Sequence, residues 1–259
     1  MQLGCCIDPE QLPALATAGG DYAEFTVART IMGGDESDFG RLLALVADSP
    51  LKPAAYNVLL PGDLAVVGPT VDRARLAAYI AVAFDRIARL TGPGAIVVFG
   101  SGRSRSVPDG FSREAALDQL AEFLGWLGPL ATQHGIILAL EPLRRVESNV
   151  FNTLGESAAF IAARQLADLH LLADLFHMIE EREPLAAIAD RAALIVHSHT
   201  ADTGRFAPGS GDYPQAEFFA QLSAHTRCGR CSIECTWRDF DREIGPALAA
   251  LRAAVGRGQ

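Results

Sequence analysis

Eight short apolar runs, each closed by turn or charged residues, recur along this chain with room for a helix between neighbours. They are QLGCCI (2–7), YAEFTVA (22–28), PAAYNVLL (53–60), AIVVFGS (95–101), IILALEPL (136–143), HLLADLF (170–176), LIVHSHT (194–200) and CSIECTW (231–237). Each has the length of a strand. The intervening segments read as helices. The clearest is 71–90, where apolar residues return every three or four positions. In the segment 112–134, Ser112 stands as N-cap, although Ala115 at the third position denies it a full capping box. A last helix is expected from about Asp241 to Val255. Alternating strands and helices make parallel βαβ units, and eight of them in 259 residues is the arithmetic of a (β/α)8 barrel. A doubly wound open sheet fits less well, because the first turn, CCIDPEQL, lacks a glycine-rich phosphate loop. With no linker, low-complexity tract or short repeat, one domain over residues 1–259 is expected.

Composition narrows the function. With 49% apolar and 20% charged residues the chain is of the soluble globular type, and its net charge of −9 argues against a phosphate-tracking nucleic-acid binder. The N-terminus has no basic segment leading into an apolar one, and no apolar stretch approaches the ~18 residues of a membrane span. A cytoplasmic protein with no nucleic-acid or membrane partner is therefore expected. The five cysteines, Cys5, Cys6, Cys228, Cys231 and Cys235, read as reduced thiols. Cys228 and Cys231 have zinc-like spacing, but no second pair completes a four-ligand site.

In a (β/α)8 barrel the chemistry lies at the C-terminal ends of the strands. There the fifth to eighth runs carry, in order, Glu141, Asp174, the pair His197 and His199, and Glu234. A single glutamate after LAL could mark nothing more than exit into solvent. Three carboxylates converging on one barrel mouth would repel one another, and a divalent cation resolves the conflict. Mostly oxygen donors with one imidazole suit Mn2+ best, with Mg2+ or Co2+ as alternatives. The two histidines share a face and differ in depth by about 6–7 Å. His199, nearer the mouth, is the expected ligand, and His197 a deeper hydrogen-bonded neighbour. His134, His170 and His225 fall in helices or at a strand start, away from the mouth.

Four stretches, LEPLRRVESNVFNT (140–153), ADLFHM (173–178), HSHTADTGRFAPGSGDY (197–213) and SIECTW (232–237), together with FGSGRSRSVPDGF (99–111), resemble the sugar phosphate isomerase/epimerase group of the xylose isomerase-like barrels. The likeness is greatest to the D-tagatose/D-psicose 3-epimerases, with hydroxypyruvate isomerase as a cousin. It implies that Glu141, Asp174, His199 and Glu234 bind one Mn2+-type ion, and that Glu147, His177 and Arg205 contact a keto-sugar substrate. It also implies a homodimer or homotetramer. The matching stretches cover residues 95–240; the loops after the first three strands, with Cys6, Asp8, Ala28, Arg29, Asn57 and Leu60, do not align securely. The distal end of the substrate is therefore left open. Arg103 and Arg105 are the candidates for holding a phosphate, though an unphosphorylated substrate is preferred.

The implied reaction is epimerisation at C3. The ion polarises carbonyl and hydroxyl oxygens and stabilises an enediolate, one of Glu141 and Glu234 removes a proton, and the other returns one to the opposite face. His177 and Arg205 hold the oxygens that gain charge. Alternatives are aldose–ketose isomerisation, including hydroxypyruvate- or inosose-type substrates, and a non-catalytic sugar-binding barrel. An abasic-site endonuclease is disfavoured, since the ends of the second and third strands, FTVAR and YNVLL, offer no zinc-binding histidine.

Overall fold

The computed structural model describes residues 1–257; the last two residues of the expected domain lie outside the described residues. Eight parallel strands close into a barrel in chain order: β1 Gln2–Cys6, β2 Tyr22–Thr26, β3 Pro53–Asn57, β4 Ala95–Phe99, β5 Ile136–Leu140, β6 Leu169–Asp174, β7 Ile195–Thr200 and β8 Arg230–Ile233. β8 pairs with β1 through Gln2↔Arg230 to Cys5↔Ile233, which completes the ring. β6 ends at Asp174, and β7 ends one residue past His199. Glu141 and Glu234 stand one position beyond β5 and β8, where the ladder has ended and a side chain can turn into the mouth.

Ten α-helices surround the barrel among the described residues: α1 Leu12–Thr17, α2 Glu36–Asp48, α3 Arg73–Thr91, α4 Gly102–Arg105, α5 Arg113–Gln133, α6 Leu154–Ala163, α7 Leu175–Glu180, α8 Ala187–Asp190, α9 Gln215–His225 and α10 Phe240–Arg257. The expected start of α5 is met: the Ser112 hydroxyl accepts from the Ala115 amide at 3.2 Å. In α3 the buried residues Leu76, Ile80, Ala83, Phe84 and Ile87 make the apolar stripe that faces the sheet. The second apolar run does not continue as a strand to residue 28. Instead the chain coils into a π-helical turn, Val27–Ile31, directly after β2.

Side chains pointing outward from the strands join the helices in one core, while Tyr22, Ala55, Ile96, Val98, Ala139 and Leu172 fill the barrel interior. Above this apolar plug the interior becomes polar. The register makes the change abrupt: Leu172 pairs with His197 and Asp174 with His199, so one step of two residues moves from packing to chemistry. Register shifts fall at Ala23/Glu24 and at Leu171/Leu172, both next to polar interior residues. Such irregularities re-aim side chains near functional sites.

Candidate active site

Glu141, Asp174, His199 and Glu234 converge at the C-terminal mouth, with one donor atom from each lying within 4.8 Å of the others. His199 Nδ1 stands 3.1 Å from Glu141 Oε1 and 3.7 Å from Glu234 Oε2. Asp174 is buried at the end of β6, where its Oδ1 accepts from the Phe176 amide at 2.7 Å and so caps α7. Room for Glu141 comes from Gly100, since a Cβ there would fall 2.2 Å from Glu141 Oε2.

The electrostatics are those of a crowded anionic pocket. Burial and then the Glu141 charge push the Asp174 carboxyl up to about 7. Burial and the neighbouring Glu234 likewise raise Glu141. Burial opposes the charge on Glu234, but His199 and Arg205 outweigh it and hold that carboxyl below its ordinary value. Burial also opposes the charge on His199, yet Glu24 and Glu234 overcome it and raise the imidazole well above its usual range. Three acids, two of them buried, clustered on an imidazole are a strained set of charges on their own, and oxygen-rich donors of this kind fit a divalent ion.

The three expected substrate contacts gather around this cage. His177 is buried in α7; its Nδ1 accepts from the Arg144 amide at 3.2 Å, so Nε2 carries the hydrogen. That Nε2 has no hydrogen-bond partner and lies 3.7 Å from Asp174 Oδ2. Burial and the nearby Arg205 hold the ring's pKa down at about 3, so it is a neutral donor at pH 7. Arg205, with a left-handed backbone (φ 63°), sends its side chain into the site rather than to Asp202. It bonds Glu147 at 3.0 Å and Glu234 at 2.6 Å and lies over the Phe176 ring. Asp202 instead ties its own loop together, accepting from the amides of Thr203, Gly209 and Tyr213. Glu147 is half-buried and shared between Arg144 and Arg205.

Two residues at the mouth or just below it escape the motif reading. Glu24, inside β2, is fully buried one layer beneath the cage, between His197 Nε2 at 2.8 Å and His199 Nε2 at 2.9 Å. The available signal is a charged residue at the centre of an apolar strand, which is costly unless it finds partners. Asn57, at the end of β3, donates from Nδ2 to Glu234 Oε1 at 2.7 Å. A neutral amide at a strand end carries no comparable sequence signal.

One of the two phosphate candidates is corrected. Arg105 is not available to a phosphate: the last residue of α4, it is fully buried and donates to the backbone carbonyls of Phe99 at 2.9 Å and Glu141 at 2.7 Å. Burial lowers its pKa to about 10, still leaving it charged at pH 7. Its role is to hold the chain at the point where Glu141 leaves β5. Arg103 is exposed beside Gly62. The cysteines are free thiols, and Cys228 bonds to Ser198 and the Arg230 carbonyl instead of facing a metal cluster. His134 ends α5, while His170 and His225 line a cavity at the opposite, N-terminal end of the barrel. Among the described residues no helix is long and apolar enough to cross a membrane.

The profile of the xylose isomerase-like TIM barrels matches residues 12–255. The chain belongs to that family. A relative named 3-dehydro-D-guloside 4-epimerase, from Escherichia coli (strain K12), is 32% identical over 136 residues, which are 51% of this chain and 52% of that protein. This chain thus spans only about half the length of that relative. The L-ribulose 3-epimerase of Mesorhizobium japonicum is 31% identical over 249 residues, covering 93% of this chain and 78% of the relative. Among solved structures, D-psicose 3-epimerase of Clostridium cellulolyticum H10, crystallised with D-tagatose, superposes with a TM-score of 0.84 at 20% identity. It covers 98% of this chain and 99% of that one, a likeness of fold. Both of these relatives carry the name of an epimerase.

Proposed function

We propose that this protein is a divalent-metal-dependent sugar epimerase that inverts a carbon next to the carbonyl of a keto sugar, C3 of a ketose being the first choice. The observation that carries this reading is the pairing of Glu141 and Glu234. Two carboxylates, Glu141 buried and Glu234 half-buried, reach the mouth from strands on different sides of the barrel and meet at His199. A divalent ion held by Glu141, Asp174, His199 and Glu234 would supply positive charge against the substrate's carbonyl and hydroxyl oxygens. Mn2+ fits the donor set best, with Mg2+ or Co2+ as substitutes.

The protein's own groups do the proton work. One glutamate takes the proton from the carbon beside the carbonyl, and the other delivers a proton to the opposite face. Asn57 and Arg205 hold the Glu234 carboxylate from two directions, at 2.7 and 2.6 Å, so its approach is preset. Gly100 and the Arg105 strut do the same for Glu141. The His177 Nε2–H and the Arg205 guanidinium are donors in place for oxygens that gain charge in the transition state. An unphosphorylated sugar fits the burial of Arg105, which removes one of the two candidate cations.

The test is an activity screen of Mn2+-loaded protein against free and phosphorylated ketoses and 3-keto sugars. Turnover of a free keto sugar, lost in both Glu141→Gln and Glu234→Gln, is expected. Sugar binding without turnover across the panel would leave a non-catalytic sugar-binding barrel in its place.

A further inference from the structure

Beneath the cage, Glu24 is the centre of a hydrogen-bond network with a fixed direction. Its Oε2 meets His197 Nε2 at 2.8 Å and accepts from the Ser232 hydroxyl at 2.5 Å; its Oε1 meets His199 Nε2 at 2.9 Å. Tyr22 Oη lies 2.8 Å from Ser232 Oγ. All four of these partners are buried. Three groups able to donate converge on the two oxygens of Glu24, the arrangement of a carboxylate that accepts from all three. An ionised carboxylate only accepts. Both imidazole nitrogens facing it must therefore be N–H groups. Ser232 spends its one hydrogen on Glu24, so Tyr22 must be the donor to Ser232.

This arrangement decides which atom of His199 faces the cage. With Nε2–H committed to Glu24, the lone pair of the neutral ring is on Nδ1, the nitrogen 3.1 Å from Glu141 and 3.7 Å from Glu234. The same carboxylate cannot swing away, because His197 and Ser232 hold its other oxygen. The register irregularity at Ala23/Glu24 lies at the residue that must reach inward. Gly4 leaves space for the supporting Tyr22 ring, which a Cβ there would meet at 2.5 Å.

We propose that Glu24 is the positioning residue that fixes the tautomer and aim of His199, so that the ring offers Nδ1 and only Nδ1 to the ion. The inference rests on the reading of Glu141, Asp174, His199 and Glu234 as an ion-binding cage. Carboxylates that anchor a ligating histidine in this way are commonly worth about 10–100-fold in metal affinity. His197 and Ser232 act through Glu24 by keeping it in place.

The experiment measures Mn2+ affinity by titration calorimetry, and the His199 tautomer by NMR of Mg2+-loaded protein labelled with 15N-histidine. Wild-type protein should show His199 as the Nε2–H form. Glu24→Gln should bind Mn2+ about 10–100-fold more weakly and lose that single tautomer. Glu24→Asp keeps the charge but withdraws it by one methylene, and should weaken Mn2+ binding in the same direction if Glu24→Gln does not fold. A purely structural Glu24 would lower melting temperature while leaving both the affinity and the tautomer of the folded variants unchanged; that result overturns the inference alone. Wild-type protein that takes up no ion would overturn the functional reading itself, and this inference with it.

Discussion

At the residue scale, the decisive contrast is between two histidines two positions apart. His199 meets Glu141 and Glu234 at the mouth, whereas His197 meets only Glu24, one layer deeper. His199→Ala should therefore abolish Mn2+ binding, measured by calorimetry. His197→Ala should reduce affinity modestly and lower stability, since it leaves a cavity and removes one donor from Glu24. Reversed results would mean that strand β7 is placed one layer off. Arg205 offers a second contrast. Arg205→Ala removes the bridge between Glu147 and Glu234 as well as the donor proposed for substrate oxygens. It should lower kcat/KM by about 10²–10³ with the fold intact. The four cage residues were legible in the sequence because each ends an apolar run, where a charge is conspicuous. Glu24 was not, because the histidines that justify it lie on a strand 173 and 175 positions away. Asn57 was not, because an amide after a strand is unremarkable until Glu234 is set beside it.

At the scale of elements, the strand ends govern the site, and α4 shows how. The segment GSGRSRS after β4 offers two arginines, Arg103 and Arg105, as candidates for holding a phosphate. Folding instead turns Arg105 inward over Phe99 and Phe151, where it satisfies two buried carbonyls. A linear sequence cannot show which side of a four-residue helix faces the barrel, and the two arginines two apart look equivalent until it does. Arg105→Met should destabilise the protein by about 2–4 kcal/mol, read from denaturant unfolding, because two buried carbonyls lose a charged donor. Activity should fall further than stability alone explains, since one of those carbonyls belongs to Glu141. Gly100→Ala makes the complementary change on β4: its methyl group displaces the Glu141 carboxylate, so Mn2+ affinity and turnover should both drop while the barrel still folds.

At the scale of the whole molecule, the barrel was legible from strand and helix periodicity alone, because eight repeats of a βα unit leave few other closures. What periodicity could not convey is how the plug of Tyr22, Ile96, Val98 and Leu172 gives way to a buried, charged layer, since that depends on register between strands. The charged layer predicts a pH dependence for ion uptake. In the metal-free protein His199 is raised well above its usual range and Asp174 sits at about 7, so both carry protons on the acid side of neutrality. An ion must displace them. Apparent Mn2+ affinity should therefore fall as pH falls through about 7, where Asp174 takes up its proton. Calorimetry in buffers of different ionisation enthalpy counts those protons directly.

The central claim, that Glu141 and Glu234 invert a carbon beside a carbonyl, is tested most directly by running the reaction of Mn2+-loaded protein in D2O and locating the label by NMR. Deuterium at the inverted carbon next to the carbonyl, absent when either glutamate is replaced by glutamine, is the predicted result. Label at C1 or C2 of an aldose–ketose pair, or a bound sugar whose C–H positions never exchange, would contradict it.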